Sequence, residues 1–178
     1  MITNKKYSWI LIIGGVVGIL MSFLLTMDKI ELLKNPQAEL PCNINPIVSC
    51  GPVINTPQAS AFGFPNPILG LAGFSALFTV GILLLLNIAT IENKKLLNLL
   101  LWGSTFAIIF IHYLIVQSLF VVGALCVYCM ITWVFTWPVF FHTLNQKYAL
   151  RNSLTYFIGW YLLIIFLILF RFREFFFS

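Results

Sequence analysis

Charge is what this chain has least of. Only 8% of its 178 residues are Asp, Glu, Lys or Arg, against 61% apolar; a soluble domain carries about 25% charged residues. So large an apolar excess needs an apolar solvent, which a bilayer supplies, and a water-soluble globule is excluded. Internal repeats, low-complexity tracts and a separable soluble domain are missing too. The net charge of +5 is scattered over short connecting segments, which points to signals of membrane orientation and not to a nucleic-acid surface. From Leu96 to Gln146 there is no formal charge over 51 residues. As one helix that run would measure about 77 Å, so it must cross a hydrocarbon core of about 30 Å twice.

The apolar blocks that remain give the architecture. Spans are expected at about 7–27, 67–90, 96–118, 124–144 and 154–170, with a long loop at 28–66. Gln117, Ser118 and Gly123 mark the turn inside the charge-free run. Lys5 and Lys6 precede the first block as they would in a signal peptide, but the block is too long and "LLTMDKIELL" offers no small-x-small cleavage site; an uncleaved helix is expected. The fold class is thus an all-α membrane protein of five transmembrane helices, with 1–178 as one domain. Orientation follows Lys and Arg near the helix ends. With the N-terminus inside, the inner side holds Lys5, Lys6, Lys94, Lys95, Lys147 and Arg151, and the outer side Lys29, Lys34, Arg171 and Arg173. The flanks of the first helix decide for a cytoplasmic N-terminus, so loop 28–66 lies outside. Its start, "DKIELLKN", sets Ile30, Leu32 and Leu33 among charges and is read either as a segment along the membrane surface or as a solvated loop.

There are four cysteines. Cys42 and Cys50 lie in the long loop; Cys126 and Cys129 form a Cys-x-x-Cys pair at the start of the fourth span. Because successive helices alternate in direction, all four meet one membrane face. An outer face is an oxidising place where disulfides persist. Three readings compete: a structural disulfide beside two inert helix cysteines, a four-thiolate metal site, or two dithiol pairs that exchange electrons. The wide Cys42–Cys50 spacing speaks against zinc knuckles. For exchange speak Cys126, in the first turn of its helix where free N–H groups favour a thiolate, and Cys129, on the same face at i+3. A pair at the edge of a span, the second sulfur about 4.5 Å deeper than the first, suits an acceptor dissolved in the lipid.

"CNINPIVSCG", then "PQASAFGFPNPILGL", then "CVYC" at a helix start: in this order the chain resembles the vitamin K epoxide reductase family, most of all its bacterial branch, over nearly its whole length. Another bacterial family of quinone-linked disulfide enzymes has its Cys-x-x-Cys in the first outer loop, the reverse of the order here. The resemblance implies a four-helix bundle around a quinone of ubiquinone, menaquinone or phylloquinone type, with the fifth helix outside it. It implies a relay: a thioredoxin-fold oxidant of the cell envelope attacks a loop disulfide at Cys42, Cys50 then attacks Cys126, and Cys129 faces the quinone. Relatives often carry a fused thioredoxin-like domain after the fifth helix; here the sequence ends at Ser178, and a separate partner protein is expected. No metal is implied. The rival reading within the family is reduction of vitamin K epoxide or quinone in a recycling pathway; the rival outside it is a membrane metal- or thiol-binding protein without enzymatic activity. A disulfide between Cys42 and Cys50 closes a short loop, which gains less chain-entropy stabilisation than the about 3 kcal/mol of a 15-residue loop, as a shuttle pair should.

Four polar or aromatic residues complete the expectation. Asn66, between Pro65 and Pro67, is read as the N-cap of the second span and, from the resemblance, as a donor to a quinone carbonyl. Trp133, at i+4 from Cys129, replaces a tyrosine that contacts the quinone in animal relatives; packing or an interfacial position is the plainer reading. Thr56 falls where relatives often have serine. His112, inside the third span, either serves proton transfer or bonds a neighbouring helix.

Overall fold

A computed structural model describes residues 4–149 and 153–177. Arg151, one of the expected inner-side charges, lies outside the described residues. The first helix, α1 (Asn4–Lys34), overruns the expected span by two turns. At 1.5 Å per residue it is about 46 Å long, more than the hydrocarbon core needs. "DKIELLK" is therefore neither a surface segment nor a loop. It contains no helix breaker, so the helix runs on until Pro36, which disfavours helical backbone in the residue before it. Leu32, on this extension, is buried against Leu25, Leu40 and Ile54.

After α1 the chain passes through Cys42 into a five-residue helix, α2 (Cys50–Ile54), and a 3₁₀ turn, Pro57–Ser60. The remaining long helices are α3 (Asn66–Leu85), α4 (Lys94–Val116), α5 (Val127–Tyr148) and α6 (Ser153–Arg171), and a short α7 (Arg173–Phe177) ends the described chain. Among the described residues, α1, α3, α4 and α5 are long and apolar enough to cross a membrane, and α6 contains a shorter apolar helix. The chain is an all-α, multi-pass membrane protein. The second span is shorter than expected: α3 ends at Leu85. The turn at Gln117 and Ser118 is displaced as well. Helix α4 continues there as a π-helical stretch, Gln117–Val122, and the chain reverses only at Gly123, with φ +71°, a conformation that costs a glycine little.

Helix α1 packs against α3 and α5, α4 packs against α5, and α3 meets α4 where Leu84 and Leu100 share one buried cluster. Small residues set the closest approach. A Cβ on Gly15 would lie 2.8 Å from the Phe78 backbone, and one on Gly81 would lie 2.8 Å from Ile12; this is how helices associate in lipid, where burial of apolar surface is no driving force. Polar side chains bind the far ends: Tyr7 and Thr143 share a hydrogen bond of 2.7 Å, and Lys147 donates to Asn98 at 2.9 Å. Helix α6 is tied to the outside of this bundle at three levels. Trp160 donates to His112 at 2.9 Å, Tyr161 donates to the Val134 carbonyl at 2.7 Å, and Arg171 donates to the Leu119 carbonyl at 2.8 Å. The middle bond has a cause in the sequence. Pro138 lies inside α5 and brings no N–H, so the carbonyl four residues earlier, Val134, loses its helical partner; in lipid it must find another.

Candidate active site

The loop that holds Cys42 and Cys50 is organised by its two asparagines. Asn45 Oδ1 accepts from the N–H groups of Ile47 (2.9 Å) and Val48 (2.7 Å). Asn43 Oδ1 accepts from Ser49 Oγ (2.8 Å) and the Gly51 N–H (3.1 Å). The result is a tight turn that returns Cys50 to Cys42, with Cα atoms 5.6 Å apart and the sulfurs bonded. That separation is ordinary for a disulfide.

The loop is then fixed to the start of α5 by backbone. Leu125 N–H donates to Ile47 O (2.7 Å) and Ser49 N–H donates to Leu125 O (2.8 Å), a parallel bridge between Val48 and Leu125. Ser118 Oγ, at the end of α4, donates to the Ala124 carbonyl and holds the approach to this bridge. One residue beyond the bridge on one strand, two on the other, come Cys126 and Cys50. Their sulfurs are 3.2 Å apart, and both residues are fully buried. Cys126 stands at the N-cap of α5, one residue before the helix and not within its first turn. Its thiol also interacts with that of Cys129, which is only half-buried. The four cysteines thus form one chain of sulfurs: Cys42 bonded to Cys50, Cys50 against Cys126, Cys126 against Cys129. Cys126 and Cys129 are free thiols.

The other expected residues fall less simply. Asn66 is not an N-cap: it lies inside the first turn of α3, and Pro65 takes the cap position. Its side chain braces the preceding loop. The Ala61 N–H donates to Oδ1 (3.0 Å), and Nδ2 donates to the Gln58 carbonyl (2.7 Å). A primary amide has two N–H donors, so one of them is left for another partner. Thr56 caps the 3₁₀ turn, accepting from Ala59 N–H at 3.3 Å while donating to Val53 O at 2.9 Å. Trp133 is buried with Ile111, Ile115, Leu119, Leu125 and Trp160, and Cys129 packs on this cluster. His112 is satisfied on both nitrogens. Nδ1 meets Ile108 O at 2.7 Å, and Nε2 accepts from Trp160, which fixes a neutral ring with its proton on Nδ1. Of the two readings of this residue, the helix-bonding one describes these contacts.

Two features of the site were not among the expected residues. The asparagine brace was visible in "CNINPIVSCG", since Asn side chains make such local turns. Asp28 was not. Its Oδ2 lies 3.4 Å from Cys42 Sγ, brought there only because α1 runs on past the span. Asp28, Cys42 and Cys50 offer three donor atoms within 4.8 Å of one another, but two of these are joined as a disulfide and are not thiolate ligands in this state.

The model of the vitamin K epoxide reductase family matches residues 9–144, a stretch that includes all four cysteines. No curated protein matches the chain significantly.

Proposed function

The chain belongs to the vitamin K epoxide reductase family, whose members are membrane oxidoreductases of thiols and quinones, and on that premise we propose that it oxidises a separate thioredoxin-fold protein of the cell envelope and so drives disulfide formation there. The observation that carries this reading is the contact of 3.2 Å between Cys50 and Cys126, which joins the loop pair to the Cys-x-x-Cys pair without a gap. A structural disulfide beside two inert cysteines has no need of it.

The steps follow from the order of the sulfurs. The thiolate of the partner attacks Cys42, forms a mixed disulfide with it and releases Cys50 as a thiolate. The partner's second thiol resolves that mixed disulfide, leaving the partner oxidised and Cys42 reduced. Cys50 attacks Cys126 when Cys126 and Cys129 are disulfide-bonded, and Cys129 is released with the electron pair. Cys42 then closes on Cys50, which frees Cys126. The state with the loop pair oxidised and the Cys-x-x-Cys pair reduced is the one in which both electrons have arrived at the inner pair.

A quinone of ubiquinone, menaquinone or phylloquinone type supplies, when bound, a two-electron and two-proton acceptor. The residues present fit such a group. Cys129 is only partly buried where it packs on the Trp133 cluster, and Asn66 keeps one N–H free to donate. Trp133 packs beneath Cys129 and fixes the wall on that side; Thr56 shapes the loop from which Asn66 rises. No metal enters this reading. In the same reading the protein is one domain over 1–178 in the inner membrane, with a cytoplasmic N-terminus and the cysteines outside. Reduction of vitamin K epoxide is a weaker reading, because no observation favours an epoxide over a quinone.

The test is quinone reduction by purified protein supplied with a reduced thioredoxin-fold partner. Cys42→Ala should lower the rate to background with the partner while sparing reduction by a small dithiol that reaches Cys126 and Cys129 directly. Equal loss with both reductants would reject the shuttle role of the loop.

A further inference from the structure

We infer that Asp28 decides which sulfur of the loop disulfide takes the incoming thiolate: its carboxylate, 3.4 Å from Cys42 Sγ, makes Cys42 the sulfur that is attacked and Cys50 the sulfur that leaves. This rests on the reading of the loop pair as a shuttle and adds to it a residue outside the cysteines.

A disulfide sulfur carries no hydrogen, so the 3.4 Å contact is not a hydrogen bond in the oxidised state. It is a carboxylate oxygen set against a sulfur that will gain or be spared negative charge. Asp28 stands on the extension of α1, half-buried. Its neighbour Lys29 makes no ion pair with it and donates to the Ile54 carbonyl at 3.0 Å. The other groups near Asp28 are Cys126 and Tyr128 of the α5 start, both of which feel its charge and neither of which is a cation. Cys50 Sγ is also within 4.8 Å of the group formed with Asp28 and Cys42, but its own contacts are the Cys42 carbonyl and Cys126.

Thiol–disulfide exchange passes through three sulfurs in line, with the negative charge mostly on the two outer ones. The leaving sulfur departs faster when its thiolate is more stable. A fixed carboxylate at about 3–4 Å raises the energy of a thiolate beside it. If the incoming thiolate struck Cys50, Cys42 would become an outer, charged sulfur against Asp28. If it strikes Cys42, that sulfur is the central one, and the charge goes to the incoming sulfur and to Cys50. One S–S bond forms to Cys42, the Cys42–Cys50 bond breaks, and the electron pair leaves on Cys50, which is where Cys126 waits. The same charge bears on the exchange between Cys126 and the loop pair, in both directions. Attack of Cys126 on Cys50 while the loop pair is closed would expel Cys42 as a thiolate next to Asp28. When the partner later frees Cys42, the sulfur takes a proton from solvent, and the thiol then has a carboxylate at hydrogen-bond distance to donate to.

The test uses full-length protein with Cys126→Ser and Cys129→Ser, so that the loop disulfide is the only one and cannot be scrambled. It is treated with 2-mercaptoethanol, an uncharged monothiol, in the presence of an alkylating agent that caps whichever cysteine is released. Mass spectrometry then reads the adduct on Cys42 against that on Cys50. With Asp28 present the adduct should sit on Cys42. Asp28→Asn, which keeps the shape and removes the charge, should shift the ratio toward Cys50 by about threefold, the effect on rate of about one pKa unit at a Brønsted coefficient of about 0.4–0.5. Asp28→Glu should keep the adduct on Cys42. The steric access of the two sulfurs is the same in the Asn variant, so an unchanged ratio would overturn the role of Asp28 while leaving the relay intact. No adduct on either cysteine in any variant would overturn both.

Discussion

At the scale of single residues, the site is built by side chains that serve the backbone first. Asn43 and Asn45 spend their carbonyl oxygens on the N–H groups of a nine-residue turn, and the turn delivers Cys50 to Cys126. Asn66 spends one oxygen and one N–H on the loop before α3, which separates two consequences of its removal. Asn66→Ala leaves the Ala61 N–H and the Gln58 carbonyl without their partner. At about 1 kcal/mol net for each hydrogen bond, the variant should be less stable by about 2 kcal/mol in a denaturation series. Asn66→Asp keeps the acceptor for Ala61 and loses both donors. If the free N–H of Asn66 serves the quinone, this variant should show a raised KM for quinone at unchanged KM for the protein partner. A KM for quinone equal to that of the unaltered protein would remove Asn66 from the site.

At the scale of elements, two interruptions in helices are matched by side chains of α6. Pro138 strips the Val134 carbonyl of its helical donor, and Tyr161 supplies one at 2.7 Å. The π-helical end of α4 presents the Leu119 carbonyl, and Arg171 supplies a donor at 2.8 Å. A carbonyl left unsatisfied in an apolar setting costs about 1–3 kcal/mol. Tyr161→Phe should therefore lower the thermal midpoint measurably. Pro138→Ala restores the α5 hydrogen bond, so in that background the same Tyr161→Phe change should cost less. A double-mutant cycle in which the two changes simply add would show that they do not act through the Val134 carbonyl.

At the scale of the whole molecule, the end of α1, the 35–65 segment and the turn at Gly123 share one end of the bundle, because Cys50 touches Cys126. The 86–93 connection falls at the other end, where Tyr7, Leu84, Ile91 and Leu100 pack together. The proposed orientation, with Lys5 and Lys6 inside, predicts that a reporter inserted in the 86–93 connection gives a cytoplasmic signal, and one placed after α7 an external signal. The opposite pair would invert the whole protein and put the cysteines in a reducing compartment, where the relay has no use.

The sequence by itself determined the fold class and the meeting of the cysteines, because both rest on one-dimensional quantities. Apolar length counts the crossings, and the parity of the crossings puts loop 28–66 and Cys126 at the same face whatever the boundaries. The order of the cysteine pairs also carried the family. What it did not determine depends on where helices end and which way side chains turn. Nothing in "DKIELLK" distinguishes two more turns of α1 from a surface segment; packing of Leu32 against the loop decides it, and with it the place of Asp28 beside Cys42. Asn66 sits next to two prolines, which reads as a cap, yet its side chain turns back to Gln58 and Ala61, because Pro65 takes the cap position and the loop offers unpaired backbone groups. Likewise the bridge between Val48 and Leu125 joins residues 77 positions apart. Its two hydrogen bonds run between main-chain atoms, which every sequence has, so only the tertiary structure can say that they meet.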